Sequence, residues 1–124
     1  MRRSPTTRFT AIILFTLLGC WAVAQRVTVL THDSFALPEE LVAEFTAATG
    51  IEVVFLPGGD AGEVVNRAIL TKARPLADVL YGIDDSLLER ARGEGIFEPY
   101  TSPALAGVPA DLHLDGSVTP IDVG

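Results

Sequence analysis

The chain has 124 residues, with 16 acidic against 9 basic side chains, a formal net charge of −7 and a single cysteine. An acidic surface repels nucleic-acid phosphates and attracts cations, which argues against nucleic acid as a partner and suits a small cationic ligand, while the same bulk charge also serves simple solubility. One cysteine excludes a disulfide scaffold and a cysteine-based metal centre.

The first element in chain order is a leader. Arg2, Arg3 and Arg8 form a basic head, residues 9–23 carry no charge, and Ala22 and Ala24 flank Val23 as a small-x-small pair. This grammar predicts an export signal over 1–24, cleaved before Gln25. The apolar run is shorter than the roughly 20 residues that a spanning helix needs. Leu17-Leu18-Gly19-Cys20 also resembles a lipoprotein box, which would anchor the chain by a lipid on Cys20. The apolar run continues past Cys20 through Trp21, and a strand begins by Val27, which favours cleavage after Ala24 over the anchor. Without the leader, six basic residues face 16 acidic ones, a net charge of −10.

A β-branched run over 26–31 predicts the first strand, followed by the loop Thr31-His32-Asp33-Ser34-Phe35. Pro38 is then read as the first residue of a helix, with Glu39 and Glu40 in its first turn, Leu41, Phe45 and Ala48 facing the core, and Gly50 as the C-terminal cap. A second strand over 51–56 leads into the glycine-rich loop 57–62. A second helix over 63–73 carries Val64, Val65, Ala68 and Ile69 on one face, with Glu63 and Arg67 spaced to pair. A third strand over 78–82 is followed by a helix that Asp84-Asp85-Ser86 opens and that carries Leu87, Leu88 and Ala91. Residues 96–100 read as extended, 101–116 as loop, and a strand is expected to start near Ser117, so the chain reads as the front piece of a longer protein.

Strands alternating with helices predict an α/β fold, a parallel sheet covered by helices on both faces. In such sheets ligands bind along the edge formed by the carboxyl ends of the strands. The loops at that edge hold Asp33, Asp60, Asp84 and Asp85, with Phe35 nearby and Tyr81 at a strand end. Carboxylates beside aromatic faces suit an organic cation. Each acid also has a purely local reading. Asp60 and Glu63 have the spacing of a capping box, Asp84 and Asp85 precede a helix, and Asp33-Ser34 fits an Asx turn. Gly58, Gly59 and Gly62 would let backbone approach a ligand, and the N–H groups of Ala61 and Gly62 could meet an anion such as a phosphate. His32 reads as a cleft or turn residue, and His113 is assigned no role.

No nucleophile turn, Walker loop or His-Glu-x-x-His occurs, two histidines and scattered acids lack metal-ligand spacing, and the glycine loop lacks dinucleotide spacing. Catalytic residues, a metal and a cofactor are therefore all read as none.

Five segments in order then resemble one family: Thr31 to Phe35, Gly59-Asp60 leading to Asn66-Arg67, Ala77-Asp78-Val79-Leu80-Tyr81-Gly82-Ile83-Asp84, Gly95-Ile96-Phe97-Glu98, and Thr119-Pro120-Ile121-Asp122. Together they look like the periplasmic thiamine-binding proteins of ABC importers, within the wider iron, thiamine and polyamine solute-binding group. The resemblance implies a type 2 periplasmic-binding-protein clamshell of two lobes, truncated here, with residues 25–124 as the first part of lobe one. It implies an ABC importer membrane permease as partner, and thiamine or its phosphates as the small cationic ligand. It also implies that Asp60 and Ala61 contact the ligand and that Asp33, Ser34 and Phe35 line the cleft. His32 and Val123 stand where the family resemblance leads one to expect tyrosine, and Ala61 where some members have glycine. Ferric iron or a polyamine is the alternative ligand. An α/β enzyme with its catalytic half elsewhere is the alternative of another class.

Overall fold

The computed structural model describes residues 25–114 and 116–121. The expected leader, the Cys20 box, Asp122 and Val123 lie outside the described residues.

The parallel α/β alternation is found. Strand β1 (Gln25–Thr31) is central, flanked by β2 (Ile51–Pro57) and β3 (Val79–Leu80), all parallel, in the order β2-β1-β3. β1 pairs with β2 over its whole length, from Gln25 opposite Ile51 to Thr31 opposite Pro57. β3 covers two residues rather than the expected five. At its start, the Asp78 carboxylate accepts the Thr28 N–H at 2.8 Å while the Asp78 N–H donates to the Thr28 carbonyl at 2.9 Å, so a side chain takes over from ladder pairing. At its end Gly82 has φ of +85° and leaves the strand direction.

Three helices follow the sequence pattern with shifted ends. α1 (Glu39–Thr49) has Pro38 just outside it, at φ −56° and ψ 134°, so proline flanks the helix instead of opening it. Gly50 closes α1 at φ 72°, its N–H bonded to the Thr46 carbonyl, as the sequence predicts. α2 (Ala61–Leu70) starts two residues early because Asp60 caps it, and stops three early. At that end the Thr71 hydroxyl donates to the Arg67 carbonyl at 2.8 Å, and the chain enters a turn. α3 (Asp85–Gly93) begins behind Asp84 as expected. Residues 96–100, read as extended from sequence, form neither helix nor strand. The loop region contains two 3-10 turns, Pro103–Gly107 and Ala110–Leu112. No strand forms among the described residues after Ser117.

Side chains alternate across a strand, so Val53 and Phe55 face one side of the sheet and Leu30 faces the other. α1 lies over the Val53 and Phe55 side, while Val64 of α2 meets Leu30 on the opposite side. The core is one-sided. Its buried apolar residues are Leu30, Val64, Val65, Leu88 and Ala91, all between the sheet and α2 with α3. The expected apolar faces of α2 and α3 are therefore correct. The expected face of α1 is not: Leu41 and Phe45 are 50% and 44% exposed, Ala48 is also exposed, and α1 buries no residue. The half-buried residues of α1 are Val42 and Thr46, which share a shallow groove with Val53 and Phe55. Periodicity marks Leu41 and Phe45 as an apolar stripe, but nothing among the described residues covers that stripe.

Candidate functional site

The carboxyl ends of β1 and β2 are tied together by two backbone hydrogen bonds and one from backbone to side chain. Gly58 N–H donates to the Thr31 carbonyl at 2.8 Å, Asp33 N–H donates to the Gly59 carbonyl at 2.8 Å, and Gly59 N–H donates to Asp33 Oδ1 at 3.0 Å. A turn in which Phe35 N–H donates to the His32 carbonyl carries the chain away from the sheet. The Asp33 carboxylate thus closes an inter-loop bridge, which replaces the isolated Asx turn allowed by its sequence.

The glycines of the second loop serve the protein's own packing. A Cβ on buried Gly58 would stand 2.9 Å from Val64 Cγ2 and 3.0 Å from Leu30 Cδ1. At Gly59, with φ of +98°, a Cβ would meet Glu63 Oε2 at 1.9 Å. That glutamate is there because the capping box forms in full. Glu63 N–H donates to Asp60 Oδ1 at 2.8 Å, and Asp60 N–H donates to Glu63 Oε2 at 2.9 Å. The box engages Glu63 towards the loop, and the Glu63–Arg67 ion pair expected from spacing is not formed. The close backbone approach expected of Gly58, Gly59 and Gly62 is taken up by Val64, Leu30, Glu63 and Asp60 of the chain itself.

These loops enclose an open depression of about 470 Å³, lined by His32, Asp33, Ser34, Gly59, Asp60, Ala61 and Gly82. Of the residues singled out by sequence, Asp33, Ser34, Asp60 and Ala61 come together here. Asp33 and Asp60 are both exposed, each with one carboxylate oxygen engaged by a backbone N–H. Phe35 and Tyr81 are not in the lining. They form an aromatic row beside it: Phe35 lies 5.0 Å from Phe55 and 4.8 Å edge-on from Tyr81, and Tyr81 lies 6.3 Å from His32. Asp84 is also outside the lining. Its Oδ1 accepts the Ser86 hydroxyl and, at 3.1 Å, the Leu87 N–H, and these bonds hold its carboxyl below the ordinary value of 3.8. Its visible work is capping α3. His32, a cleft or turn residue by its sequence, is in the wall, and so is Gly82, to which the sequence assigns no role of its own. A histidine directly after a strand on the ligand edge was the available signal for the first. For Gly82 the signal was a glycine at the end of a β-rich run.

A second, larger hollow of about 620 Å³ lies between α1 and β2, lined by Leu37, Glu39, Val42, Ala43, Thr46, Ala47, Val53 and Phe55. It is nearly all apolar and lies on a face of the sheet, away from the strand ends. The smaller depression has the polar groups that fix a ligand's orientation and the position where parallel sheets bind ligands. Among the described residues no group of three or more His, Cys, Asp or Glu is placed to hold a metal ion.

A parallel sheet with a polar depression at its strand ends is a place where α/β proteins hold small ligands. The chain is similar in sequence and structure to periplasmic uptake and solute-binding proteins. It is 37% identical over 81 residues to the iron uptake protein A1 of Synechocystis, covering 65% of this chain and 22% of that protein. It is 33% identical over 93 residues to the thiamine-binding periplasmic protein of Brucella abortus, covering 69% and 28%. Among solved structures it matches Trichodesmium IdiA (FutA) in complex with iron and citrate, at a TM-score of 0.63 and 26% identity over 74% of this chain and 29% of the other. It also matches the periplasmic binding protein P5PA, at a TM-score of 0.59 and 26% identity over 70% and 27%. The chain spans about a quarter of the length of these relatives. No family model matches it. These relatives are uptake and binding proteins, not enzymes, which fits the reading of the chain as a non-enzyme.

Proposed function

We propose that this chain is the first part of lobe one of an extracytoplasmic solute-binding component of an ABC importer. In this reading residues 1–24 are its export signal, and its solute is a small organic cation of the thiamine type. The observation that carries the reading is the depression at the strand ends, where Asp33 and Asp60 stand exposed together. Two carboxylates on one wall favour a cation, and the aromatic row of Phe35 and Tyr81 lies alongside. The named likeness to thiamine-binding proteins supports the same solute.

Ferric iron is the second reading, favoured by the likeness to an iron uptake protein and to an iron–citrate complex. The donor set of this depression argues against it. Iron(III) needs several hard anionic or phenolate ligands at one point, whereas the lining holds two carboxylates, each with one oxygen engaged by an N–H group, and Tyr81 lies outside it. Calorimetric titration of the full chain with thiamine, spermidine and ferric citrate distinguishes these readings. The thiamine reading expects heat from thiamine in the range of about 10 μM to 1 mM. That is weaker than a ligand enclosed between two lobes, because an open depression leaves one side of the solute in water. Saturable binding of ferric citrate with none of thiamine would reverse the assignment.

A further inference from the structure

We propose that Gly82 is a positioning residue for the depression: it seats the His32 imidazole in the wall by leaving empty the space a side chain would take. The functional half of this inference rests on the proposed solute site; the structural half does not. Gly82 has φ of +85°, a backbone conformation that favours glycine. A Cβ built there would lie 2.3 Å from His32 Cδ2 and 2.9 Å from Nε2, closer than atoms can pack.

Neither partner is free to step aside. On the His32 side, Thr31 is 1% exposed and its carbonyl is bonded to Gly58, the His32 carbonyl accepts the Phe35 N–H at 3.1 Å, and Asp33 is bridged to Gly59. On the Gly82 side, Leu80 is paired to Leu30 in the sheet, and the Tyr81 N–H donates to the Leu30 carbonyl at 2.9 Å. With the backbone held around His32 and up to Tyr81 on the other side, relief of the clash comes most readily from rotation of the imidazole. The ring shares its wall with Asp33, Ser34, Asp60 and Ala61. A rotated ring therefore changes the shape and the hydrogen-bonding face that a solute meets. The identities of positions 32 and 82 are thus coupled: a ring in this pose at 32 requires glycine at 82.

The test is ring-selective NMR on the full chain, which contains two histidines and so gives a built-in control. In Gly82→Ala the His32 Cδ2–H signal is expected to move by more than its line width while that of His113 stays in place. Thermal midpoints of Gly82→Ala, His32→Ala and the double variant complete a cycle. The alanine at 82 should lower the midpoint less when position 32 is alanine, leaving only the backbone strain. Thiamine affinity should fall about tenfold in Gly82→Ala, and should not fall further on adding that change to His32→Ala. An unmoved His32 signal, or equal midpoint losses in both backgrounds, would overturn the proposal. Should Gly82→Ala fail to fold, folding of the double variant upholds it and failure of both refutes it. If the unaltered chain takes up no thiamine, the solute reading fails, while the ring signal and the midpoint cycle still decide the role of Gly82.

Discussion

At the scale of single residues, acids on the ligand edge divide by what holds them. Asp60 is committed to a reciprocal cap with Glu63, and loss of such a cap costs about 1 kcal/mol. Asp60→Ala should lower unfolding stability in urea by about that amount, and Glu63→Ala added to it should cost less than it does alone, because the two bonds form one unit. Asp84 offers a pH signature. Its carboxyl is lowered first by the Ser86 hydroxyl and then by the Leu87 N–H. A carboxyl depressed in the folded state stabilises above its unfolded value near 3.8, and that contribution is lost as pH falls through the lower folded value. Thermal midpoints between pH 5 and pH 2.5, read as the chain minus Asp84→Asn, should therefore show an advantage for aspartate that shrinks as acid is added. A difference that grows with acid would contradict the cap. His113, to which the sequence assigns nothing, closes the loop region through Nε2, which lies 3.0 Å from the Leu105 carbonyl and 2.8 Å from that of Val108. A contact with two carbonyls a few residues away leaves no mark in spacing or periodicity.

At the scale of elements, the sequence is legible where a residue's role is local and illegible where it depends on what comes to cover it. The capping box of α2, the αL cap at Gly50 and the apolar faces of α2 and α3 follow from patterns within about four residues. The length of β3 does not, because Asp78 reaches across to Thr28 with a side chain. The orientation of α1 does not either. Leu41 and Phe45 have helical spacing and apolar side chains, yet the helix turns Val42 and Thr46 toward the sheet. The contrast has a measurable consequence. Leu88 is 5% exposed in the core, so Leu88→Ala should destabilise by about 3 kcal/mol. Leu41 is 50% exposed, so Leu41→Ala should change stability by less than about 0.5 kcal/mol. Chemical denaturation of both variants checks the pair, and equal large losses would mean that α1 packs its Leu41 face inward. Candidate site residues follow the same division. Asp33, Ser34, Asp60 and Ala61 were placed on one edge by the strand–helix alternation and do meet there. The contribution of Gly82 arises from a contact between segments fifty residues apart, which only the fold brings together.

At the scale of the whole molecule, the sheet presents two hollows of different character. One is polar and acidic at the strand ends, lined by Asp33 and Asp60; the other is apolar, between α1 and β2. The proposed function assigns the solute to the first. Greasy surface alone would assign it to the second, where a thiamine ring system could also find contact area. The loop bridge of Asp33 with Gly59 fixes the geometry of the polar hollow before any ligand arrives, so binding there needs little ordering of the backbone. The most direct measurement is therefore to follow backbone amide NMR signals of the full chain as thiamine is added, a method suited to weak binding. The account predicts shifts concentrated at His32, Asp33, Ser34, Gly59, Asp60, Ala61 and Gly82, saturating together. Shifts concentrated instead at Val42, Thr46, Val53 and Phe55, or none at any of these positions up to millimolar thiamine, would contradict it.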